Sequence, residues 1–169
     1  TARSRGLGDV YKRQFFTSIA SNVYADGHGN IKMGIILGFT GPIESLTPAM
    51  AASAELAFNE ASDSGSLLGG KKIKVERADS TCVDSAAATS AAEGLVSNGV
   101  VAIMGADCSG VTGAIASNVA VPNGVVMISP SATSPGLTTI EDKGYFFRTA
   151  PSDARGGPVS YTHLRAHET

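Results

Sequence analysis

The sequence is poor in several residue types that would point to particular functions. Its 169 residues include no tryptophan, two cysteines and three histidines, and 17% of the residues are charged. No apolar run reaches the length of about 18 residues that a membrane-spanning helix requires. Basic residues are concentrated in residues 1–14, so the rest of the chain is acidic, which argues against a nucleic-acid partner. The internal basic cluster of Lys71, Lys72 and Lys74 is typical of a solvated strand edge.

The few histidines also limit the catalytic chemistry that the chain can carry out. A serine or cysteine nucleophile needs a base, and no histidine occurs between His28 and His163. His163, His167 and Glu168 have a spacing that can bind a metal on a helix, but they lie in a C-terminal segment unlike the rest. The stretch "GSLLGGKK" has Lys72 where a phosphate-binding loop needs serine or threonine, and indicates a glycine-rich turn. We therefore predict no catalytic residue, metal or cofactor.

The two ends of the chain differ from its body. Residues 1–14 and 158–169 resemble translated sequencing adaptors, and we exclude both as foreign flanks. Residues 15–25 end in Val-Tyr-Ala before Asp26, which predicts the remnant of a signal peptide and therefore export to the periplasm. The alternative for this segment is a frayed amphipathic helix. An aspartate after the predicted cut, in place of a cysteine, argues against a lipid anchor.

From residue 31 onwards the pattern alternates between strands and helices. Short apolar runs predict the strands, and apolar residues at helical spacing predict the helices between them. This order predicts an α/β fold, a doubly wound open parallel sheet with helices on both faces. We expect the strand order 2-1-3-4-5, which the alternation of strands and helices does not by itself fix. The predicted strands are residues 31–38, 71–79, 100–105, 124–129 and 144–149.

Helices are predicted after each of the first three strands. Asp84 is predicted to cap the second helix, and Gly99 to end it. The apolar faces are predicted to be Leu46, Met50, Ala54, Ala57 and Ala61 on the first helix, and Ala88, Ala91, Leu95 and Val96 on the second.

Four loops follow the carboxyl ends of these strands, where open α/β sheets bind their ligands. Both cysteines, Cys82 and Cys108, fall on them. In an exported protein an even number of cysteines suggests a disulfide, and the alternative is two buried free thiols. The selected loops are residues 39–47, 80–84, 106–111 and 129–136.

Hydroxyl groups are concentrated on the last two of these loops. Ser109 and Gly110 begin the third predicted helix, where backbone N–H groups and the helix dipole favour an anion such as a carboxylate. If the fourth strand pairs with the third, Ser109 and Thr133 converge. We interpret these hydroxyls as hydrogen-bond partners for a small polar ligand. The alternatives are that Ser109 is a helix cap and that Ser129 and Ser134 satisfy their own turns.

Several segments resemble one family. The stretches "IKMGIILGFTGPIES", "GADCSGVTGAIA", "VVMISPSATSPGLT" and "YFFRTAPSDARGGP" are similar to the first lobe of substrate-binding proteins of branched-chain amino-acid ABC transporters. The resemblance implies a type I periplasmic-binding-protein lobe, in which the ligand is held in a cleft between two lobes. It also implies that residues 26–157 are an incomplete first lobe, without the second lobe and the later segments of the first.

The resemblance implies roles for particular residues. Ser109 matches a serine that binds the α-carboxylate of the ligand, and Thr133 matches a threonine that contacts the amino-acid backbone. Ser131 stands where a backbone carbonyl accepts a hydrogen bond from the α-ammonium group. Cys108 and Ala132 also fall within the implied ligand-binding set.

Three further positions bear on the ligand and on redox state. Leu46 occupies a position that is aromatic in some members of the family. Asp107 stands where an apolar residue is common, which points away from a purely branched-chain ligand. Cys82 and Cys108 stand where several members form a disulfide.

The implied function is capture of an amino acid or a related small polar ligand for an ABC importer, with a membrane permease as partner. The alternative is a sensory ligand-binding domain of a membrane receptor on the same fold. A hydrolase is a distant third.

Overall fold

The computed structural model describes residues 29–156 of the chain. The predicted flanks 1–14 and 158–169 and the predicted signal-peptide remnant 15–25 lie outside the described residues, and so do the three histidines. Those interpretations therefore stay predictions.

Strands and helices alternate along the described residues, as the sequence pattern predicts. Short 3-10 turns occur at Leu67–Gly69 and Pro135–Thr138, and α3 continues through a π-helical turn, Ala116–Ala120, into α4. The elements are β1 (Ile31–Leu37), α1 (Thr47–Asp63), β2 (Ile73–Asp79), α2 (Ser85–Ser97), β3 (Ala102–Gly105), α3 (Ser109–Ile115), α4 (Val121–Asn123), β4 (Val126–Ser129) and β5 (Phe146–Arg148).

The five strands form one parallel sheet in the order β2-β1-β3-β4-β5. The predicted doubly wound fold and its strand order are confirmed. All five strands are shorter than predicted by one to two residues at one or both ends.

The main core lies on the face of the sheet that α2 and α3 cover. It contains Ile36 and Ile103 from the central strands and Met127 and Phe146 from the strands beyond them. Asp84 caps α2 as predicted, since its carboxylate accepts hydrogen bonds from the N–H groups of Ala86 and Ala87 at 2.9 and 3.0 Å. The buried residues of α2 are Ala88, Ala92 and Leu95, so its face is rotated slightly from the predicted one.

Helix α1 covers the opposite face, and its buried face differs from the predicted one. The buried residues are Thr47, Ala51 and Ser62, whereas Ala57 and Leu46 are exposed. Both buried hydroxyls have partners: Thr47 donates to the carbonyl of Gly38, and Ser62 accepts the N–H of Ile73 and donates within its own helix. Hydroxyls with tertiary partners can be buried at little cost, and apolar spacing alone does not reveal them.

Beyond α1, part of this second face is open. Side chains alternate between the two faces of a strand. Met127 and Phe146 enter the main core, so their neighbours Ile128 and Phe147 project from the other face, where 42% and 52% of their surface is exposed. Among the described residues, no helix has the length and apolar character that crossing a membrane would require.

Candidate functional site

The carboxyl ends of the strands meet at one edge, because the strands are parallel. The chain leaves β1 to form β2 on one side and returns to form β3 on the other, so the strand order reverses between β1 and β3. A crevice at such a reversal is where open α/β sheets hold ligands. The loops at this edge are the ones that the sequence selects.

A buried carboxylate ties these loops together. Asp107 is 4% exposed, and its Oδ2 accepts the N–H of Gly38 at 2.8 Å. Its Oδ1 accepts the hydroxyl of Ser80 at 3.3 Å and the N–H of Cys108 at 2.9 Å. The carboxylate therefore links the ends of β1, β2 and β3 inside the protein. Because its carboxylate points inward and both oxygens accept hydrogen bonds from the protein, Asp107 does not disfavour an apolar ligand, contrary to the expectation from its residue type.

The predicted Cys82–Cys108 disulfide is present in this structure, with the Cα atoms 5.2 Å apart. It joins the loop after β2 to the loop after β3, across the end of β1. Thr81 and Cys82 both have positive φ angles, 56° and 70°. Such angles are unfavourable for residues with a side chain, so this loop needs tertiary restraints to hold its shape.

Asp79 fixes the first loop to the second. Its carboxylate accepts the Thr40 hydroxyl at 2.6 Å and the Thr81 N–H at 2.8 Å. Burial alone would raise the pKa of Asp79, but the hydrogen bonds from Thr40 and Thr81 outweigh burial and lower the pKa below its ordinary value.

This lowered pKa predicts a stability contribution that depends on pH. A carboxylate with a depressed pKa stabilises the fold above its unfolded-state value, and the contribution is lost as the pH falls through the folded value. We expect Asp79→Asn to reduce the free energy of unfolding near neutral pH, and the gap to the parent to shrink below about pH 4. Urea unfolding of both proteins from about pH 7 to about pH 3 measures this, and a gap that stays constant with pH would contradict it.

Ser109 is the first helical residue of α3, and it is not a helix cap. The cap position is Cys108, and no side chain caps the helix there. Instead, the hydroxyl oxygen of Ser109 accepts the N–H groups of Thr133 and Ser134, both at 3.1 Å. A serine hydroxyl has two acceptor lone pairs and one donor hydrogen. Both lone pairs are thus used, and no described residue accepts the hydrogen.

Two of the loop hydroxyls are occupied within the protein. The buried hydroxyl of Ser129 donates to the carbonyl of Ala106 and accepts the N–H of Ala132 at 3.1 Å. The hydroxyl of Ser131 donates to the carbonyl of Asp107 at 3.0 Å. The turn alternative therefore describes the bond that Ser129 accepts from Ala132, whereas its donor goes to the loop after β3. It is not supported for Ser134, whose hydroxyl makes no hydrogen bond with another described residue.

Thr133 lies next to Ser109 with its backbone fixed and its side chain free. Its N–H donates to Ser109, and its carbonyl accepts the N–H of Asp153 at 3.0 Å. Its hydroxyl makes no hydrogen bond to any residue that the structure describes. Ala132, which precedes it, is fully buried, so its side chain forms part of the loop's packing. Leu46 stands just before α1, on the loop after β1, and 60% of its surface is exposed.

The structure also contains a residue that the sequence interpretation missed. The guanidinium of Arg148, at the end of β5, donates to the carbonyls of Ala132 and Ser134 at 3.3 and 2.8 Å and to the hydroxyl of Thr138. A single charged residue at the end of the apolar run "YFF" was the available signal. No group of metal-ligating side chains occurs within residues 29–156.

Fold and site together define a class of protein. The sheet is open and doubly wound, and polar groups from several loops converge at its carboxyl edge without a histidine among the described residues. Such an edge is typical of an α/β domain that binds a small ligand.

The family follows from comparison with known proteins. The profile of the family described as "Periplasmic binding protein" matches residues 30–166. The chain belongs to this family.

Relatives extend the comparison. The chain is 34% identical over 123 residues to the Leu/Ile/Val-binding protein BraC3 of Rhizobium johnstonii, covering 72% of this chain and 33% of that protein. It is 34% identical to the branched-chain amino acid transporter substrate-binding protein LivJ of Streptococcus pneumoniae, solved with isoleucine, with a TM-score of 0.65 over 73% of this chain and 34% of LivJ. A solute-binding protein of an ABC transporter from R. palustris, solved with benzoate, is 26% identical, with a TM-score of 0.64 over 75% of this chain and 34% of that protein. The chain thus spans about a third of the length of these relatives.

Proposed function

We propose that the chain is the ligand-binding lobe of an exported solute-binding protein that captures an amino acid or a related small carboxylate for an ABC importer. One observation carries this proposal: the Ser109 hydroxyl uses both lone pairs inside the protein, so it can only donate to a ligand. A donor at this edge suits an acceptor group such as a carboxylate and does not suit an ammonium group.

The surroundings of Ser109 support an anionic group in the ligand. Ser109 and Gly110 begin a helical run that continues through α3 to Asn123, and the first N–H groups of a helix have no partner within it. The positive end of the helix dipole adds to the attraction. Gly110 is exposed, so its backbone is open to the solvent side.

Other polar groups nearby suit the rest of an amino acid. The carbonyl of Ser131 makes no hydrogen bond with another described residue and can accept from an α-ammonium group. The free hydroxyl of Thr133 can contact either group. Isoleucine and benzoate, the ligands of two relatives, share a carboxylate, but only isoleucine carries an ammonium group. We therefore favour an amino acid, and an aromatic carboxylate is the alternative ligand class.

Location and partners follow from the family as part of the same proposal. A periplasmic location and a membrane permease as partner agree with the predicted signal-peptide remnant at 15–25. A sensory domain on the same fold is the second candidate, and a membrane span elsewhere in the full-length protein would favour it. A hydrolase is the least supported, because the relatives are named for binding.

The test is Ser109→Ala in the full-length protein, titrated by calorimetry with L-leucine, L-isoleucine, benzoate and L-leucinamide. Loss of one charge-assisted hydrogen bond should weaken binding of the preferred carboxylate by about 10- to 150-fold. If the parent binds leucine, leucinamide should bind it far more weakly, and Ser109→Ala should narrow that difference. Thr133→Val, which keeps the side-chain shape, should weaken binding without unfolding the protein.

The matched control is Ser90→Ala, on the exposed side of α2. It should leave every affinity unchanged. Equal affinity of the parent and Ser109→Ala for the preferred carboxylate would show that Ser109 does not bind the ligand. Failure of the parent to bind any of the four compounds would contradict the proposed ligand class.

A further inference from the structure

Arg148 contacts loop 129–136, which follows β4, from the side of β5, whereas Ser109 contacts it from the side of β3. One guanidinium nitrogen of Arg148 donates to the carbonyl of Ala132 at 3.3 Å and to that of Ser134 at 2.8 Å. A second nitrogen donates to the hydroxyl of Thr138. The two carbonyls belong to the residues immediately before and after Thr133, so Arg148 brackets this residue in the chain.

The backbone groups of Thr133 itself form hydrogen bonds with other parts of the chain. Its N–H donates to Ser109 on α3, and its carbonyl accepts from the N–H of Asp153. With Arg148 included, contacts from three separate parts of the chain determine the backbone path through Thr133. Its hydroxyl is the one polar group of this residue that none of these contacts uses.

The guanidinium of Arg148 contacts this loop and forms no ion pair with another described residue. The ion pairs among the described residues join Lys32 to Glu76, Lys72 to Asp63 and Arg77 to Glu55, and none of them involves Arg148. A guanidinium is planar and has several N–H groups in a fixed arrangement, whereas a lysine ammonium is a single point of charge. Only the guanidinium can donate to Ala132, Ser134 and Thr138 at the same time without changing the loop.

We propose that Arg148 is a positioning residue for ligand binding, which acts by setting the orientation of Thr133 at the carboxyl edge of the sheet. This role rests on the proposed function, because it matters only if Thr133 contacts the ligand. Arg148 need not touch the ligand itself. In this proposal its effect on affinity passes through Thr133, and this separates a positioning role from a general contribution to stability.

The experiment is a double-mutant cycle in the full-length protein, with L-isoleucine and benzoate as probes and calorimetry as the measurement. Arg148→Met should lower affinity for the bound probe by about 10-fold when Thr133 is present. In the Thr133→Val background the same substitution should lower affinity by less than about 2-fold. Arg148→Lys keeps the charge and much of the stem, and should recover only a small part of the loss.

Two controls make the outcomes distinct. Arg155→Met replaces an exposed arginine whose side chain makes no hydrogen bond with a described residue, and it should leave affinity unchanged. Thermal unfolding identifies any variant that has lost its fold, and if Arg148→Met has done so, Arg148→Lys completes the cycle.

An equal loss of affinity with and without the Thr133 hydroxyl would overturn the positioning role, as would an unchanged affinity in a folded Arg148 variant. In both cases the parent still binds, and the proposed function stands. A parent that binds neither probe would overturn the positioning role together with the proposed function.

Discussion

Replacing Gly105 with alanine is expected to prevent the chain from folding. Gly105 ends β3 with a φ angle of +130°, a conformation that residues with a side chain rarely adopt. An added Cβ would also overlap the carbonyl oxygen of Ile36 on the neighbouring strand and lie 2.9 Å from its carbonyl carbon. Backbone strain alone costs about 1–3 kcal/mol, and separation of two central strands would add several more. Domain stabilities of about 5–15 kcal/mol leave little reserve for such a loss.

The control for this substitution is Gly94→Ala, inside α2. Apart from its chain neighbours and the backbone of its own helix, no atom lies within 4 Å of a Cβ placed there, so the added methyl group meets no obstacle. Alanine is the better helix former, and we expect this variant to gain about 0.5–1 kcal/mol. Soluble yield, circular dichroism and thermal unfolding measure both variants. A Gly105→Ala protein that unfolds at the same temperature as the parent would contradict this prediction, because it would show that β1 and β3 can move apart with little loss of stability.

Removal of the disulfide is expected to have the second largest effect on stability. The bridge spans a sequence separation of 26 residues. The loop-entropy relation for a ring of this size corresponds to about 3–4 kcal/mol. Replacing both Cys82 and Cys108 with serine should therefore lower the free energy of unfolding by about that amount, because the unfolded chain regains the conformations that the bridge excludes. Urea unfolding under oxidising conditions measures the change.

Reductant provides the matched comparison. Dithiothreitol should destabilise the parent by a similar amount and leave the double serine variant unaffected. The substitution should also weaken ligand binding, because the bridge connects the loop of Cys82 to the residue that precedes Ser109. A double serine variant as stable as the oxidised parent would mean that Asp107 and Asp79 hold these loops without help from the bridge.

Much of the fold was predictable because its signals are local. The apolar runs of β1 and β4 are too short for helices and end in glycine or serine, so they indicate strands without any knowledge of their neighbours. Alternation of such strands with helices, together with the preference for right-handed crossovers, predicts a parallel sheet. Asp84 is a local signal of the same kind, because an N-cap acts on the N–H groups two and three residues away.

The buried face of α1 was predicted less well, and the reason is not local. Thr47 and Ser62 are buried because Gly38 at the end of β1 and Ile73 at the start of β2, 9 and 11 residues away and outside the helix, supply their hydrogen-bond partners. Apolar spacing does not detect a polar residue whose partner arrives only through folding. The exposed Leu46 shows the converse, since its apolar character indicated burial and the structure leaves it open.

Some features of the candidate site were likewise predictable from local sequence, and others depend on distant partners. From the sequence alone follow the order of the strands, the loops that meet at the carboxyl edge, and the residue types that these loops carry, among them Ser109, Thr133 and the two cysteines. Each of these depends on composition and spacing over a few residues. Which way a polar side chain turns depends on partners 24 or more residues away, as for the Ser109 hydroxyl on the Thr133 N–H and the Asp107 carboxylate on Gly38. Tertiary structure alone therefore decided that Asp107 points inward, that the Ser109 hydroxyl accepts two backbone N–H groups, and that Arg148 holds the carbonyls on either side of Thr133, because these hydrogen bonds exist only once the sheet has brought the segments together.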